Sequence, residues 1–447
     1  MNENKDFNGP DYPTAAHGTI PSFNSYEEEA KFWDTHSISD FKNETKPVLY
    51  VGYLLYQKPI NSNATPTTTL ATLTVAALNA NDGKNIWQSA IFDISPGEDA
   101  YNIHLTVAES LLCVVFSQAP GKCQAVGLDA KTGRILWRHT VDAGSMYPII
   151  AANRVFYIRV GENTLQALDG QSGKLLWSVS TGEYVLGQGG QIVVTSKAVF
   201  LLQWKLVVDT PEPSYSALVR ALRLSDGGEI WQKEVANLTG GANFPNLLSL
   251  QADDQAIYVL KWQSKQGLHP SEDMRTLVAF RAQDGSPLWS VNNLQENLDT
   301  LAASLVLFEQ VLYLVDLHSM SFFNAQDGRL FKTYTTPFNL IYTTAIDSRT
   351  FVPKDYLYAN GPGKKERFCA LKSSDGTKLW CSDLYPDVGL IFVGKENVYF
   401  SGYRAGEQRA IYILSQQNGS QIGRYTPGDP ALVNTSSISM AFAEERF

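Results

Sequence analysis

The chain has 447 residues, 45 Asp and Glu against 36 Lys and Arg, and a formal net charge of −9. With 44% hydrophobic, 11% aromatic and 18% charged residues it can bury a large core, which excludes a wholly disordered chain. The acidic balance argues against nucleic acid, whose phosphates demand a basic stripe.

The chain opens on a polar stretch, 1–24, that reads as a flexible tail. Residues 1–19 hold neither a basic leader nor an apolar run, no Cys precedes Cys113, and no run is long enough to cross a membrane. On those grounds the chain as written is expected to be cytoplasmic, without signal peptide, lipobox or membrane span. Ser25-Tyr26-Glu27-Glu28 fits a capping box, so a short helix is expected through His36. The segment 20–40, with Phe32-Trp33-Asp34-Thr35-His36, resembles a stretch of CopG/BrnA-type antitoxins; it is taken as a docking helix or relic, not as a DNA-binding element. Tail and helix form a unit 1–45, and the remainder, 46–447, forms the second.

From residue 48 a phrase recurs: a short apolar run, a polar turn closed by Gly, and a second apolar run ending on Trp. Asp129-Ala130-Lys131-Thr132-Gly133 leads to Trp137, and Asp169-Gly170-Gln171-Ser172-Gly173 to Trp177. Gly takes φ > 0 cheaply, and the Asp, Ser or Thr before it can bond the turn backbone, so each phrase is a β-hairpin. The turn glycines are Gly83, Gly133, Gly173, Gly227, Gly285, Gly328, Gly376 and Gly419; the first and last lie 336 residues apart over seven intervals, about 48 each. That period suits four short strands per unit and excludes a helical solenoid.

In the second unit the four expected strands are 103–108, 111–117, 123–130 and 134–140. The first unit offers only three, 48–56, 70–80 and 84–92, and the missing innermost strand is expected from 437–442 at the far end of the chain. Such an exchange closes a ring and hides both sheet edges. Insertions at 205–216 and 263–274 are expected on hairpin tips.

The phrase is similar to that of the pyrroloquinoline-quinone (PQQ) enzyme repeat, and the resemblance implies an all-β, eight-bladed β-propeller of four-stranded blades, closed by strands from both termini. In that family the tryptophans dock one blade on the next, which assigns blade docking to Trp87, Trp137, Trp177, Trp231, Trp289 and Trp380. Lys332 and Gly423 stand where the sixth and eighth units would carry Trp, so those joints are expected to be less tightly stapled. The resemblance spans dehydrogenases that hold PQQ over calcium, and non-catalytic scaffolds such as the PQQ-like lipoprotein of the bacterial outer-membrane assembly machine, and family members are often exported. The dehydrogenases cover PQQ with a Cys-Cys pair, which this chain lacks.

No residue pattern supplies catalysis. His17, His36, His104, His139, His269 and His318 show no metal-ligand spacing, Gly187-Gln188-Gly189-Gly190 lacks the dinucleotide fingerprint, and Asp253-Asp254 reads as a hairpin turn. Lys364-Lys365-Glu366-Arg367 reads as a solvated hairpin tip, and Cys113, Cys123, Cys369 and Cys381 as four buried free thiols, although each pair flanks a hairpin that an oxidising compartment could bridge. The expectation is a monomeric, non-catalytic propeller that binds a protein or peptide without metal or cofactor. The alternatives are a PQQ- and calcium-dependent oxidoreductase of alcohols or sugars, and a ligand-sensing module of a signalling system.

Overall fold

The computed structural model describes the strands and short turns between residues 46 and 445. Residues 1–45, the segments 57–70, 95–99, 119–121, 142–145, 185–191, 208–213, 240–248, 264–273, 295–303, 341–355, 361–366 and 428–432, and a few single positions lie outside that description. The expected N-terminal helix, the antitoxin-like segment and the Gly187–Gly190 run fall there. Among the described residues there is no helix.

Eight sheets of four antiparallel strands make a β-propeller. Blade 1 takes 46–94 plus the C-terminal strand; blades 2 to 8 take 100–141, 146–180, 192–239, 249–291, 304–335, 339–382 and 384–425. Blade 2 is made by Ala100–Ala108, Leu111–Gln118, Lys122–Asp129 and Ile135–Val141, close to the four runs read from its sequence. The C-terminal strand Val433–Glu445 lies against Lys46–Tyr56, with Leu49 opposite Phe442 and Tyr50 opposite Ala441. It is the innermost strand of blade 1, so the two ends of the chain meet in one sheet, as expected.

The core is divided among the joints, because each sheet buries one face against the blade before it and the other against the blade after it. Tyr50, Leu73 and Val75 of blade 1 pack with Leu112, Val114 and Val126 of blade 2. Tyr157 and Leu165 of blade 3 pack with Val199 and Leu201 of blade 4. The ring is completed by Tyr399, Ile411 and Ile413 of blade 8 against Leu49, Val51 and Leu78 of blade 1.

Two expectations need correction. The insertion expected over 205–216 is shorter, because Lys205–Val207 pair with Ser214–Ser216 and lengthen the hairpin. Cys369 and Cys381 are not free thiols: they stand directly opposite each other on neighbouring strands and form a disulfide. Cys113 and Cys123 are free and buried, because register places Cys113 opposite Gly127 and Cys123 opposite Ser117. Desolvation pushes the Cys113 thiol far above its ordinary range.

Candidate functional site

Each repeat phrase builds one joint. All eight turn glycines have φ between +69° and +73°, the left-handed region only Gly enters cheaply. In blade 2 the Asp129 carboxylate accepts bonds from the Thr132 backbone N–H and hydroxyl, at 2.8 and 2.7 Å, which closes the turn. The indole of the preceding blade then lies on the glycine; a Cβ on Gly133 would come within 2.5 Å of the Trp87 ring.

The residue three before that glycine works in two directions. The Ala130 N–H donates to Ser110 O in its own blade, and its carbonyl accepts the Trp87 indole N–H at 2.9 Å. The same indole bond recurs from Trp137 to Gly170 O, Trp177 to Leu224 O, Trp231 to Ala282 O, Trp289 to Ala325 O and Trp380 to Gln416 O, at 2.6–3.1 Å. The two remaining joints are filled differently. Over Gly376 lies the ring of Tyr334, two residues beyond Lys332. Between blades 8 and 1 no ring is among the atoms nearest the turn glycine Gly83, and a Cβ on Gly423 would stand 2.8 Å from the backbone oxygen of Asp82.

Polar links add to these joints. Arg275 of blade 5 and Asp316 of blade 6 form a buried ion pair at 3.4 Å, each side chain 3% exposed. Asp253 closes its own hairpin through Gln255 N and Ala256 N, while Asp254 accepts from Ser196 N and Oγ of blade 4. Both acids thus do turn and joint work. Arg367, expected at a solvated tip, is half-buried with its guanidinium over the Tyr385 ring.

The two ends of the strands are unlike. The turn glycines and, in blades 2 to 8, the first hairpin of each blade share one end, and apart from 341–355 the connections there are short. At the opposite end leave 57–70, 240–248, 264–273 and 295–303, the long and dissimilar ones. Such connections carry specificity on a rigid scaffold. Among the described residues no three His, Cys, Asp or Glu side chains converge as ligands of an ion. His104, His139 and His318 lie in blades 2, 2 and 6, and no helix of the described residues is long and apolar enough to cross a membrane.

This ring of indole-sealed blades defines the chain as a PQQ-like β-propeller. The family described as outer membrane protein assembly factor BamB matches residues 71–254 and again 219–422, and the chain belongs to it. Two curated relatives carry the same description: one from Moranella endobia (strain PCIT), 24% identical over 191 residues (40% of this chain, 44% of the relative), and one from Yersinia pestis, 20% identical over 234 residues (48% and 51%). The chain therefore spans about half the length of the curated relatives it matches. Among solved structures, apo AztD from Citrobacter koseri superposes with a TM-score of 0.52 at 11% identity, over 90% of this chain and all of that one, a likeness of fold alone.

Proposed function

We propose that this chain is a non-catalytic, monomeric propeller that binds other proteins, as a scaffold for assembly at the outer membrane. The observation that carries this reading is the family match, which runs from 71 in blade 1 to 422 in blade 8 and so reaches all eight blades. The joints support it: six indole staples, a buried ion pair and a disulfide give a stiff disc whose variable connections sit at one end. No cofactor is assigned to it. The Cys369–Cys381 bridge favours an oxidising compartment, so the site of action is taken to lie outside the cytoplasm, against the expectation from the N-terminal residues alone.

The test uses the full chain, cross-linked in cells to its neighbours, with any captured protein then purified and its complex reconstituted. The expected result is a saturable complex, together with no thermal shift and no dye reduction when PQQ, calcium and an alcohol are added. Turnover with PQQ would establish the quinoprotein reading instead. A complex that forms only when residues 1–45 are present would move the binding site to that segment and favour the signalling module.

A further inference from the structure

The disulfide of blade 7 joins two unlike environments. Cys369, on the strand Phe368–Lys372, is fully buried in the cluster that holds Leu357 and Ala359, whereas Cys381, on the outermost strand Lys378–Ser382, is half-buried. The repeat accounts for the difference. Cys381 lies five residues beyond the turn glycine Gly376, and the residues at that position in six other blades, Gln88, Arg138, Ser178, Gln232, Ser290 and Arg424, are exposed. No strand of the blade lies beyond the outermost one, so this position borders the open rim. One sulfur of the bridge belongs to the core and the other to the rim.

The bridge also sits at a joint without an indole. Trp380 faces blade 8, its ring over Gly419. Alternation along the strand therefore turns Cys381, with Cys369 opposite it, towards blade 6. That is the joint where Lys332 stands in place of tryptophan and the ring of Tyr334 covers Gly376. The strand that the bridge pins is the short one that carries Trp380, so releasing it loosens blade 7 on both flanks.

Exchange of a disulfide begins when a thiolate attacks one of its sulfurs, and access decides which. Here access selects Cys381. We propose that Cys369–Cys381 is an exchangeable, redox-sensing bond, opened by a dithiol through attack at Cys381, and that its opening loosens blade 7 while the rest of the ring stays folded. In the first step a thiolate of the dithiol bonds to Cys381 Sγ and the bond between the two cysteines breaks. Cys369 Sγ leaves with the electron pair and takes up the proton that the attacking thiol gave up, because an anion among apolar side chains is poorly solvated. The second thiol of the dithiol then displaces Cys381 in the same way. The dithiol ends as its own disulfide, and the protein has gained two electrons and two protons. This adds regulation to the scaffold and does not depend on which partner it binds.

The test uses the full chain in native buffer, with Cys113 and Cys123 as internal reporters, since these buried free thiols meet a reagent only when blade 2 opens. Reduced glutathione, which lacks a second thiol, traps the intermediate, and peptide mapping by mass spectrometry is expected to find it on Cys381 and not on Cys369. Dithiothreitol followed by iodoacetamide is expected to open the bridge and label Cys381 at least about tenfold faster than Cys113 or Cys123. Hydrogen exchange of the reduced chain is expected to quicken by about tenfold or more within Lys378–Ser382 and to stay unchanged in Ile135–Val141, the matching strand of blade 2. An adduct on Cys369, a bridge that stays closed or opens no faster than Cys113 and Cys123 are labelled, or hydrogen exchange that either stays the same in blade 7 or rises equally in blade 2 overturns the proposal.

Discussion

Tyr334 and Tyr425 occupy one position of the repeat, six residues beyond the turn glycines Gly328 and Gly419, in the two blades that lack a docking tryptophan. Along a strand residues two apart share a face, so position six can reach where position four would. Tyr334 uses this to cover Gly376, and Tyr425 places its hydroxyl 3.4 Å from that of Tyr53 in blade 1. Tyr334→Ala should cost about 3–4 kcal/mol in urea denaturation, as large aromatics do in cores. Lys332→Ala should cost under about 1, since it loses a cation above the Phe322 ring and a charge attraction to the exposed Asp375. The reverse ranking would mean that Tyr334 is not the staple. The sequence alone did not show this exchange: the missing Trp was visible, but the tyrosine two places on looked like any strand residue. His104 carries a second prediction at this scale. Burial holds its imidazole at about 4, so the unfolded chain takes up a proton near pH 6.5 that the native chain refuses until far lower. The stability this provides is whole above pH 6.5 and drains away as pH falls towards 4. Denaturant midpoints at pH 7.5 and 5.0 should therefore differ in the wild type and converge in His104→Gln. An unchanged gap would place the pH dependence on other groups.

At the scale of elements, the outermost strand of every blade is interrupted at the same position of the repeat, and those of blades 1 and 4 at a second place as well. Trp87 pairs with Ala77 and Asn85 with Leu78, which leaves Ile86 as the extra residue of a β-bulge. The same step leaves Leu136, Leu176, Ile230, Leu288, Phe331, Leu379 and Ile422 unpaired in the other blades. Seven of these eight are among the exposed large apolar residues, and Leu136 is half-buried. A bulge twists an edge strand away from pairing with another molecule, and eight exposed edges need that protection. The turn and the indole were legible because Gly, Asp and Trp have few other uses at that spacing. The bulge was not, because it exists only in the pairing. Pairing likewise decided the cysteines: 12 residues separate both a bridged pair and, in principle, many unbridged ones, and only register put Cys369 opposite Cys381. Closing a loop of that length should stabilise by about 3 kcal/mol, so Cys369→Ser with Cys381→Ser should lower the urea midpoint accordingly. Alkylation of unreduced, denatured protein should label two thiols, Cys113 and Cys123, by mass spectrometry. Four labels would remove the bridge.

For the whole molecule the decisive feature is closure. Seven blades are local in sequence, each built from a contiguous stretch, whereas blade 1 joins residues nearly the full length of the chain apart. The left-over strand at the C-terminus made that closure readable from sequence. Without 433–447 the strand Lys46–Tyr56 would expose its inner edge, and blade 8 would lose Ile438 and Met440, whose burial is worth roughly 3–6 kcal/mol together. The truncated chain is expected to melt earlier and less cooperatively, and to associate through the freed edge on size-exclusion chromatography. Truncation alone would not separate ring closure from simple loss of packing, but a permuted chain does. Lys46 stands opposite Glu445, so a two-residue turn can join the C-terminal strand directly to the first one. Placing 433–445 ahead of residue 46 in this way, and ending the chain near 427, keeps every strand pair and makes blade 1 local. Its melting temperature should return to within a few degrees of the full chain, and it should elute as a monomer. If it melts like the truncated chain, the C-terminal strand is doing something other than completing blade 1.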